Sequence, residues 1–544
     1  MMKSHMLSKR RIGQVIILFF VGLFCLLSCS CASSLKSAPD NYIGPSKVSS
    51  AIPQSEETES TPKISETKKP VITKGPLEVT ARDSILMALE NNRALRIEKL
   101  NPEIYRAGED KERALFDPVI TGGYSRFRQK TETELLPTGE ILDNEVTGEL
   151  GVSGRIPTGT DVELEISTEK TWPGVYSDDQ HESRVGLSVT QALLRGSGLK
   201  YNLARLRQAR LDTRVSQYEL RGFAETLVAE VEETYWDYAL TERQIEIFLE
   251  SLKLAEKQKR ETEEMIRIGS LAESELTAAE AEIALRREGL INARSTLEKT
   301  RLTLLRLLNP PGKELWNRAL VILDQPVAPD VTLDDVEDHV GVALRMRPDL
   351  NETRLQILRG DLDVVRTKNG LLPKLDFFIH LGKTGYAGSF NSSVNDNDGD
   401  SYDILAGITV EYPLLNRDAK ARFRESLLSR EQADESVKNM TQLVQVDVRS
   451  AYIEVNRAKE QIAATTATRI LQEEKTRIET EKFRVGKSTT LLVAQAQRDL
   501  LASRIAETEA IANYLKSLVE LYRLEGSLLE RRGIQAPGHE TISF

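Results

Sequence analysis

A short glycine-containing motif occurs twice in the sequence: residues 266–270 read IRIGS and residues 483–487 read FRVGK. In each copy a glycine, Gly269 or Gly486, follows a long helix-favouring segment, and glycine lowers helix propensity by ~1 kcal/mol relative to alanine. The two glycines are 217 positions apart (486 minus 269), and Tyr235 and Tyr452 share this spacing. The pattern therefore predicts two helical segments that each reverse direction at a glycine.

The similarity extends upstream of these glycines. "VGLSVTQALL" (185–194) matches "AGITVEYPLL" (406–415), and Pro118 matches Pro373. The order of the matches is the same in both halves, which is the signature of a duplicated structural unit. We therefore expect two quasi-equivalent units that pack against each other.

Strand-like and helix-like patterns alternate within each unit. Apolar residues at every second position, such as Leu375, Phe377 and Ile379, indicate strands with two unlike faces, and at least two per unit predict roughly four per chain. Segments 199–268 and 419–485 contain no proline, and as continuous helices each would reach ~100 Å.

The return segments are shorter than these long helices. Residues 270–308 and 487–525 would span only ~58 Å each as helices. We therefore expect a separate short helix, at 95–116 or 350–371, to complete each return leg. The first unit also carries extra residues around "IPTGT" (156–160), which would form either a long external loop or additional strands.

The N-terminus has the features of an export signal. Basic residues 9–11 precede an apolar run at 12–27, and "LLSC" (26–29) resembles the lipobox whose cysteine is acylated in bacterial lipoproteins. Cys29 is the predicted lipidation site, and an ordinary secretory signal cleaved near Ala32 is the alternative. Either reading predicts export from a bacterial cytoplasm.

The predicted organisation follows from these boundaries. We expect a signal peptide (1–28), a flexible tether after lipidated Cys29 (29–76) and a first repeat (77–310). An equatorial connector (311–344), a second repeat (345–530) and a C-terminal tail (531–544) follow.

Composition excludes several classes of function. The formal net charge of −10 argues against nucleic-acid binding. All three cysteines lie in the first 31 residues, and the five histidines are scattered, so neither a metal site, a cofactor site nor a catalytic set is predicted. Residues 396–400 are similar to a calcium loop, but Val394 and Leu405 occupy ligand positions, so a polar turn is expected.

Four strands cannot close into a membrane barrel, because such barrels begin at about eight strands. An open sheet would leave unpaired edges, which lipid does not tolerate. The strands are therefore completed by neighbouring chains, or they belong to a soluble sandwich.

The order of strands, long helix, glycine tip and return helix, written twice, resembles the TolC-like outer-membrane efflux proteins. "FRVGKSTTLLVAQAQRDLLASR" (483–504), "YLKSLVELYRLEG" (514–526) and "QALLRGSG" (191–198) carry the resemblance, which covers residues 77–530. It implies a mainly α fold with a β-barrel portion: a homotrimeric, internally duplicated α/β barrel with 12 strands in the outer membrane and a periplasmic helical tunnel.

The resemblance also implies partners and sites. The chain would be a passive conduit for efflux or type I secretion, docked through a periplasmic adaptor to an inner-membrane pump of the proton-driven or ABC type. The adaptor would contact the two glycine turns. The alternative is that these glycines serve only as helix C-caps, although both roles can hold together. The expected tip residues are Ile268, Gly269, Ser270, Leu271, Val485, Gly486, Lys487 and Ser488.

The family often has an acid six residues past each tip glycine, where it narrows the periplasmic aperture. Glu275 fits this position in the first unit, whereas the second unit has Leu492 and, three residues on, Gln495. A solvated helix acid is the alternative for Glu275. The alternative function for the whole chain is that of a periplasmic coiled-coil scaffold lipoprotein that forms no channel. An enzymatic function is the third hypothesis.

Overall fold

The computed structural model describes residues 75–132, 140–172, 180–312, 315–329 and 332–538. The predicted signal peptide, Cys29 and all but the end of the predicted tether lie outside the described residues.

Two helical hairpins dominate the molecule. The first unit contains α1 (Ala81–Asn91), α2 (Arg93–Glu98), α3 (Asn101–Arg113), α4 (Leu199–Asn202), α5 (Ala204–Arg267) and α6 (Ser274–Leu308). The second part of the chain contains α7 (Val336–Met346), α8 (Pro348–Gly370), α9 (Phe390–Asp396), α10 (Arg417–Arg484), α11 (Thr490–Glu525) and α12 (Leu528–Arg531).

The long helices have the predicted length. Helix α5 has 64 residues and α10 has 68, which correspond to about 96 and 102 Å at the usual rise per residue. Helices α6 and α11 return alongside them with 35 and 36 residues. The short helix α3 packs on α5, and α8 packs on both long helices. The prediction of two helical hairpins accompanied by short helices is confirmed.

One of the short helices differs from the expectation. Residues 350–371 lie almost entirely in the continuous helix α8, whereas 95–116 is divided among α2, α3 and a 3₁₀ turn at Ala114–Phe116. The break falls before Pro102, which stands in the first turn of α3. Proline has no amide hydrogen to donate to the preceding turn, so a new helix begins there.

The number of strands is larger than expected. The main sheet contains β2 (Val119–Glu132), β3 (Glu140–Ile156), β4 (Thr160–Trp172), β5 (Gln180–Ala192), β7 (Lys374–Ala387) and β8 (Tyr402–Glu411) in the order β2-β3-β4-β5-β7-β8, every neighbour antiparallel. Within the described residues this sheet has six strands instead of the roughly four predicted, because the extra residues around 156–160 form strands β3 and β4 rather than a long loop.

A small parallel pair lies near the middle of the helical part. Strands β1 (Leu77–Val79) and β6 (Leu320–Ile322) pair in parallel. Tyr235, fully buried on α5, donates its hydroxyl to the carbonyl of Val79 (3.2 Å). Its repeat partner Tyr452 instead reaches the segment between the repeats, where it donates to the carbonyl of Asp334 (3.3 Å). The largest apolar core surrounds this region and draws on both units.

The two long helices differ in exposure. Helix α5 is buried at positions spread along most of its length. Helix α10 instead leaves an apolar stripe in contact with solvent, with side chains 47–71% exposed: Leu443, Val446, Ile453, Ile470 and Leu471. In the single chain, the second unit is therefore covered on fewer sides than the first.

Candidate channel wall and helical tips

The first tip is closed by main-chain hydrogen bonds. The Gly269 amide donates to the carbonyl of Ile266 (2.9 Å), and the Ser270 amide donates to the carbonyl of Met265 (2.9 Å). Gly269 has a φ of +76°, in the left-handed region that residues with a side chain rarely adopt. This is the Schellman ending of a helix, which satisfies carbonyls that would otherwise have no partner.

The second tip repeats this geometry. The Gly486 amide donates to the carbonyl of Phe483 (3.0 Å), the Lys487 amide donates to the carbonyl of Lys482 (2.8 Å), and Gly486 has a φ of +73°. A Cβ at either tip glycine would meet nothing within 4 Å. Glycine is therefore required here by backbone conformation and not by crowding, and the reading of these residues as helix C-caps is correct.

The tips expose apolar side chains. Ile268 is 71% exposed and Val485 is 67% exposed. The hydroxyl of Ser488 donates to Glu479 (2.9 Å), and Thr489 caps α11 by accepting from the amide of Leu492 (3.4 Å). The remaining predicted tip residues are either exposed or half-buried in the same turns: Gly269, Ser270, Leu271, Gly486 and Lys487.

The predicted aperture residues lie one to two helical turns from the tips. Glu275 is half-buried in the first turn of α6, where a carboxylate interacts favourably with the helix dipole. Leu492 is 47% exposed and Gln495 is also exposed. Their role at an aperture formed by several chains stays a prediction.

Polar contacts join the two hairpins at several levels. Arg504 on α11 pairs with Glu250 on α5 (3.1 Å), and Lys516 pairs with Asp237 (2.8 Å). Closer to the tips, Arg498 lies 3.4 Å from Glu282 on α6. The partners are more than 200 residues apart in sequence, so no local pattern could have indicated them.

A buried charge cluster ties the C-terminal end of the chain to α5. Arg221, only 1% exposed, donates to Glu225 (3.1 Å), to Glu530 (2.6 Å) and to the carbonyl of Gly526 (2.9 Å). Burial raises the pKa of Glu225 to about 8, against the opposing effect of Arg221. Nearby, Arg532 pairs with Glu232 (2.5 Å).

One face of the six-stranded sheet is apolar from edge to edge. The strand register aligns one apolar residue from every strand in a single row: Ile120, Val152, Leu164, Leu187, Leu381 and Ile404. Several of these side chains are highly exposed, Ile120 by 74% and Ile404 by 64%. An exposed apolar surface of this extent is suited to lipid rather than to water.

The opposite face is polar. The adjacent row in the register reads Thr121, Gly151, Glu165, Gly186, Gly382 and Asp403. Ion pairs on this face join Arg155 to Asp161 (2.7 Å) and Arg184 to Asp403 (2.8 Å). A cavity of about 1470 Å³ adjoins this face where the sheet meets the helices.

Two kinds of feature are absent from the described residues. Among the described helices, none combines the length and apolar character that a membrane span requires. Within the same residues, no three histidine, cysteine or carboxylate side chains are grouped as metal ligands.

A sheet with one lipid-compatible face and one polar face, continued by long paired helices, defines the class of membrane channels with a helical tunnel. The sequence pattern of the outer membrane efflux protein family matches residues 85–310 and 340–527. The chain belongs to this family, whose members are channels. The predictions of fold class and of an outer-membrane location with a periplasmic helical tunnel are confirmed.

Individual relatives support the same fold. The alignment with the outer-membrane channel OprN covers 82% of this chain and 90% of OprN, at 17% identity and with a TM-score of 0.62. The alignment with the Campylobacter jejuni CmeC outer membrane channel covers 85% of this chain and 87% of CmeC, at 16% identity and with a TM-score of 0.63. The alkaline protease secretion protein AprF of Pseudomonas aeruginosa is 27% identical over 167 residues, 29% of this chain. The matched region spans about a third (34%) of AprF.

Proposed function

We propose that three copies of this chain form an exit duct, in which the sheets make the outer-membrane barrel and the hairpins make the periplasmic tunnel. The observation that carries the proposal is the two-faced sheet with two unpaired edges, since such a sheet needs neighbouring chains in a bilayer. The exposed stripe of α10 gives independent support, because neighbouring copies would cover it.

The two glycine tips would dock onto a periplasmic adaptor. Both tips present an exposed apolar residue, Ile268 or Val485, next to a rigidly hydrogen-bonded turn. An exposed apolar residue on a rigid turn is suited to binding a helical partner, because little conformational entropy is lost when the partner binds. The adaptor would connect the duct to a proton-driven or ABC-type pump in the inner membrane.

The duct would be a passive conduit, and we assign the chain no catalytic role. The cargo would be small molecules or proteins. The secretion role in the name of AprF supports protein export, and membership of the outer membrane efflux protein family supports small-molecule efflux. Glu275, Leu492 and Gln495 would line the periplasmic aperture, with Glu275 as its acidic member.

Acylation of Cys29 would anchor the N-terminus in the outer membrane. Metabolic labelling with a radioactive or clickable palmitate tests this directly. Incorporation into the parent chain and its loss in Cys29→Ser are the expected results, and labelling that persists in Cys29→Ser would assign the lipid elsewhere.

The trimer and the channel are tested together on purified protein. We expect crosslinking to yield trimers, with a circular dichroism spectrum that contains a strand component and with stepwise conductance in planar bilayers. The scaffold alternative predicts almost pure helix, no conductance, and solubility without detergent in Cys29→Ser.

Adaptor docking is tested at the tips themselves. Gly269→Pro and Gly486→Pro each remove an amide donor and forbid a positive φ, so both should abolish export while trimers remain. Gly341→Ala is the matched control, because its added Cβ would also meet nothing and its φ is not positive. Normal export in both proline variants would contradict docking through these turns.

A further inference from the structure

We infer that the barrel built by this chain has eighteen strands instead of twelve, because β3 and β4 are full wall strands that widen it. The inference rests on the proposed trimer, to which each chain contributes its six-stranded sheet. Neighbouring copies of the same chain are the occupants of the two free edges.

The hairpin of β3 and β4 crosses the sheet over the same height as the other strands. Strand β3 pairs with β2 from Glu140 to Ser153, and β4 pairs with β5 from Thr160 to Thr171. A membrane strand needs ~9–11 residues, and β3 and β4 have 17 and 13.

The turn that joins β3 to β4 lies at the helical end of the sheet. Only residues 157–159 separate the two strands, and the carbonyl of Gly159 accepts from the amide of Ala192 (2.9 Å), where β5 ends. An added Cβ at Gly159 would lie 2.4 Å from the carbonyl oxygen of Gly196. Membrane barrels have short turns on the periplasmic side, and this turn lies on the side where the periplasmic helices begin.

The chemistry of the hairpin matches that of the other strands face by face. Its residues Val152 and Leu164 belong to the apolar row that continues onto Leu187, and Gly151 and Glu165 belong to the polar row. A hairpin folded away into solvent would have no need of an apolar face, whereas a wall strand requires one.

The directions of the edge strands allow closure. All five pairings in the sheet are antiparallel, so β2 and β8 run in opposite directions at its two edges. Placing β8 of one copy beside β2 of the next therefore forms another antiparallel ladder, and the ring closes without a free edge.

The expected gain in width is large. With strands ~4.8 Å apart and tilted ~40°, twelve strands give a backbone diameter of ~24 Å and eighteen give ~36 Å. If side chains occupy ~5 Å on each side, the bore grows from ~14 to ~26 Å and its cross-section about threefold.

Two of the larger side chains on the polar face, Glu149 and Phe378, lie close to the wall. An added Cβ at Gly123 would lie 2.2 Å from the Glu149 carboxylate, and one at Gly407 would lie 2.6 Å from the Phe378 ring. Each of these side chains therefore lies over the neighbouring glycine and follows the sheet surface, instead of projecting away from the sheet.

Electron cryomicroscopy of the trimer in lipid nanodiscs tests the strand count. We expect eighteen strands and a backbone diameter about 1.5 times that of a twelve-stranded barrel. A trimer with twelve strands and the hairpin outside the wall would overturn this inference and leave the exit duct intact. Absence of any trimer would overturn both.

Thiol accessibility tests the hairpin without depending on a reconstruction. Glu165→Cys and Ile166→Cys are neighbours on opposite faces of β4, and the parent chain provides the background. In reconstituted vesicles, a charged maleimide should label Glu165→Cys at least tenfold faster than Ile166→Cys. Equal labelling at the two positions would show that β4 is not part of a lipid-facing wall.

Discussion

The two repeats agree closely at their tips and differ in their sheets. Both tips end in the same pair of main-chain hydrogen bonds with a glycine at positive φ. In the part of the chain that the structure describes, however, the first repeat contributes four strands to the sheet and the second contributes two. A helix end is fixed by local hydrogen-bond geometry, whereas an antiparallel sheet accepts additional strands as long as they come in pairs.

The requirement for pairs has a geometric cause. One inserted strand would reverse the direction of every later strand, but a hairpin restores it. The alternation of side chains with period two also keeps each face intact when the register of the hairpin matches its neighbours. The tips are thus constrained by the chain's own backbone, whereas the number of strands is constrained by the assembly.

Removing one strand should have the largest effect. Deletion of 140–159 leaves an odd number of strands, so β5 could no longer descend towards α5. We expect no trimer in the outer-membrane fraction, as judged by crosslinking. Deletion of 140–179 is the matched control: it removes both strands of the hairpin, makes the first repeat resemble the second, and should retain trimers. Trimers in both variants would contradict the need for pairs.

Removing a buried charge should affect the first repeat alone. Arg221 is 1% exposed and satisfies three acceptors, whereas its repeat equivalent Lys438 lies on the surface. Arg221→Met leaves the buried Glu225 carboxyl and the Gly526 carbonyl without their donor, and should destabilise the chain by ~1–3 kcal/mol. Lys438→Met should leave stability unchanged in denaturant titrations. Unchanged stability in Arg221→Met as well would indicate that the cluster adds no stability.

The same cluster predicts a pH dependence specific to the first repeat. Burial raises the pKa of Glu225 to about 8 from an ordinary value of 4.5, so the folded chain holds an extra proton between these values. The contribution of Glu225 to stability is therefore greatest below pH ~4.5 and falls as pH rises towards 8, by up to ~1.4 kcal/mol per unit. Glu225→Gln, which copies Gln442 of the second repeat, should flatten the profile. A profile that is unchanged in this variant would assign the dependence to another group.

The smallest effect is expected at the tips, where the repeats should respond alike. Gly269→Ala and Gly486→Ala each place a side chain at positive φ, at a cost of ~1–2 kcal/mol. Hydrogen exchange at Ser270 and Lys487 should quicken roughly tenfold in the respective variants, since ~1.4 kcal/mol corresponds to a factor of ten. A response at only one tip would show that the two turns are not equivalent.

The features that could be predicted from the sequence are those with local causes. The long helices follow from segments without proline, and the tips follow from Gly269 and Gly486. The period-two pattern at 375–381 identified a strand that the structure contains as part of β7. Each of these features depends on residues that are close together in the chain.

The features that were missed depend on distant residues or on weak patterns. Strand β2 carries Gly122, Gly123 and several basic residues, which blur its alternation. The break before α3 is not apparent from the sequence, because Pro102 lies inside an otherwise helix-favouring segment. The cluster around Arg221 needs Glu530, more than 300 residues away, and nothing near either residue indicates the contact.

The two free edges of the sheet have a consequence for the order of events in biogenesis. A chain that entered a bilayer alone would bring into lipid the unpaired main-chain groups of Val119–Glu132 and Tyr402–Glu411. Insertion and association must then proceed as one event, whose rate depends on how often chains meet. The supply of newly exported chains, more than the folding speed of any one of them, would therefore set how quickly the duct appears.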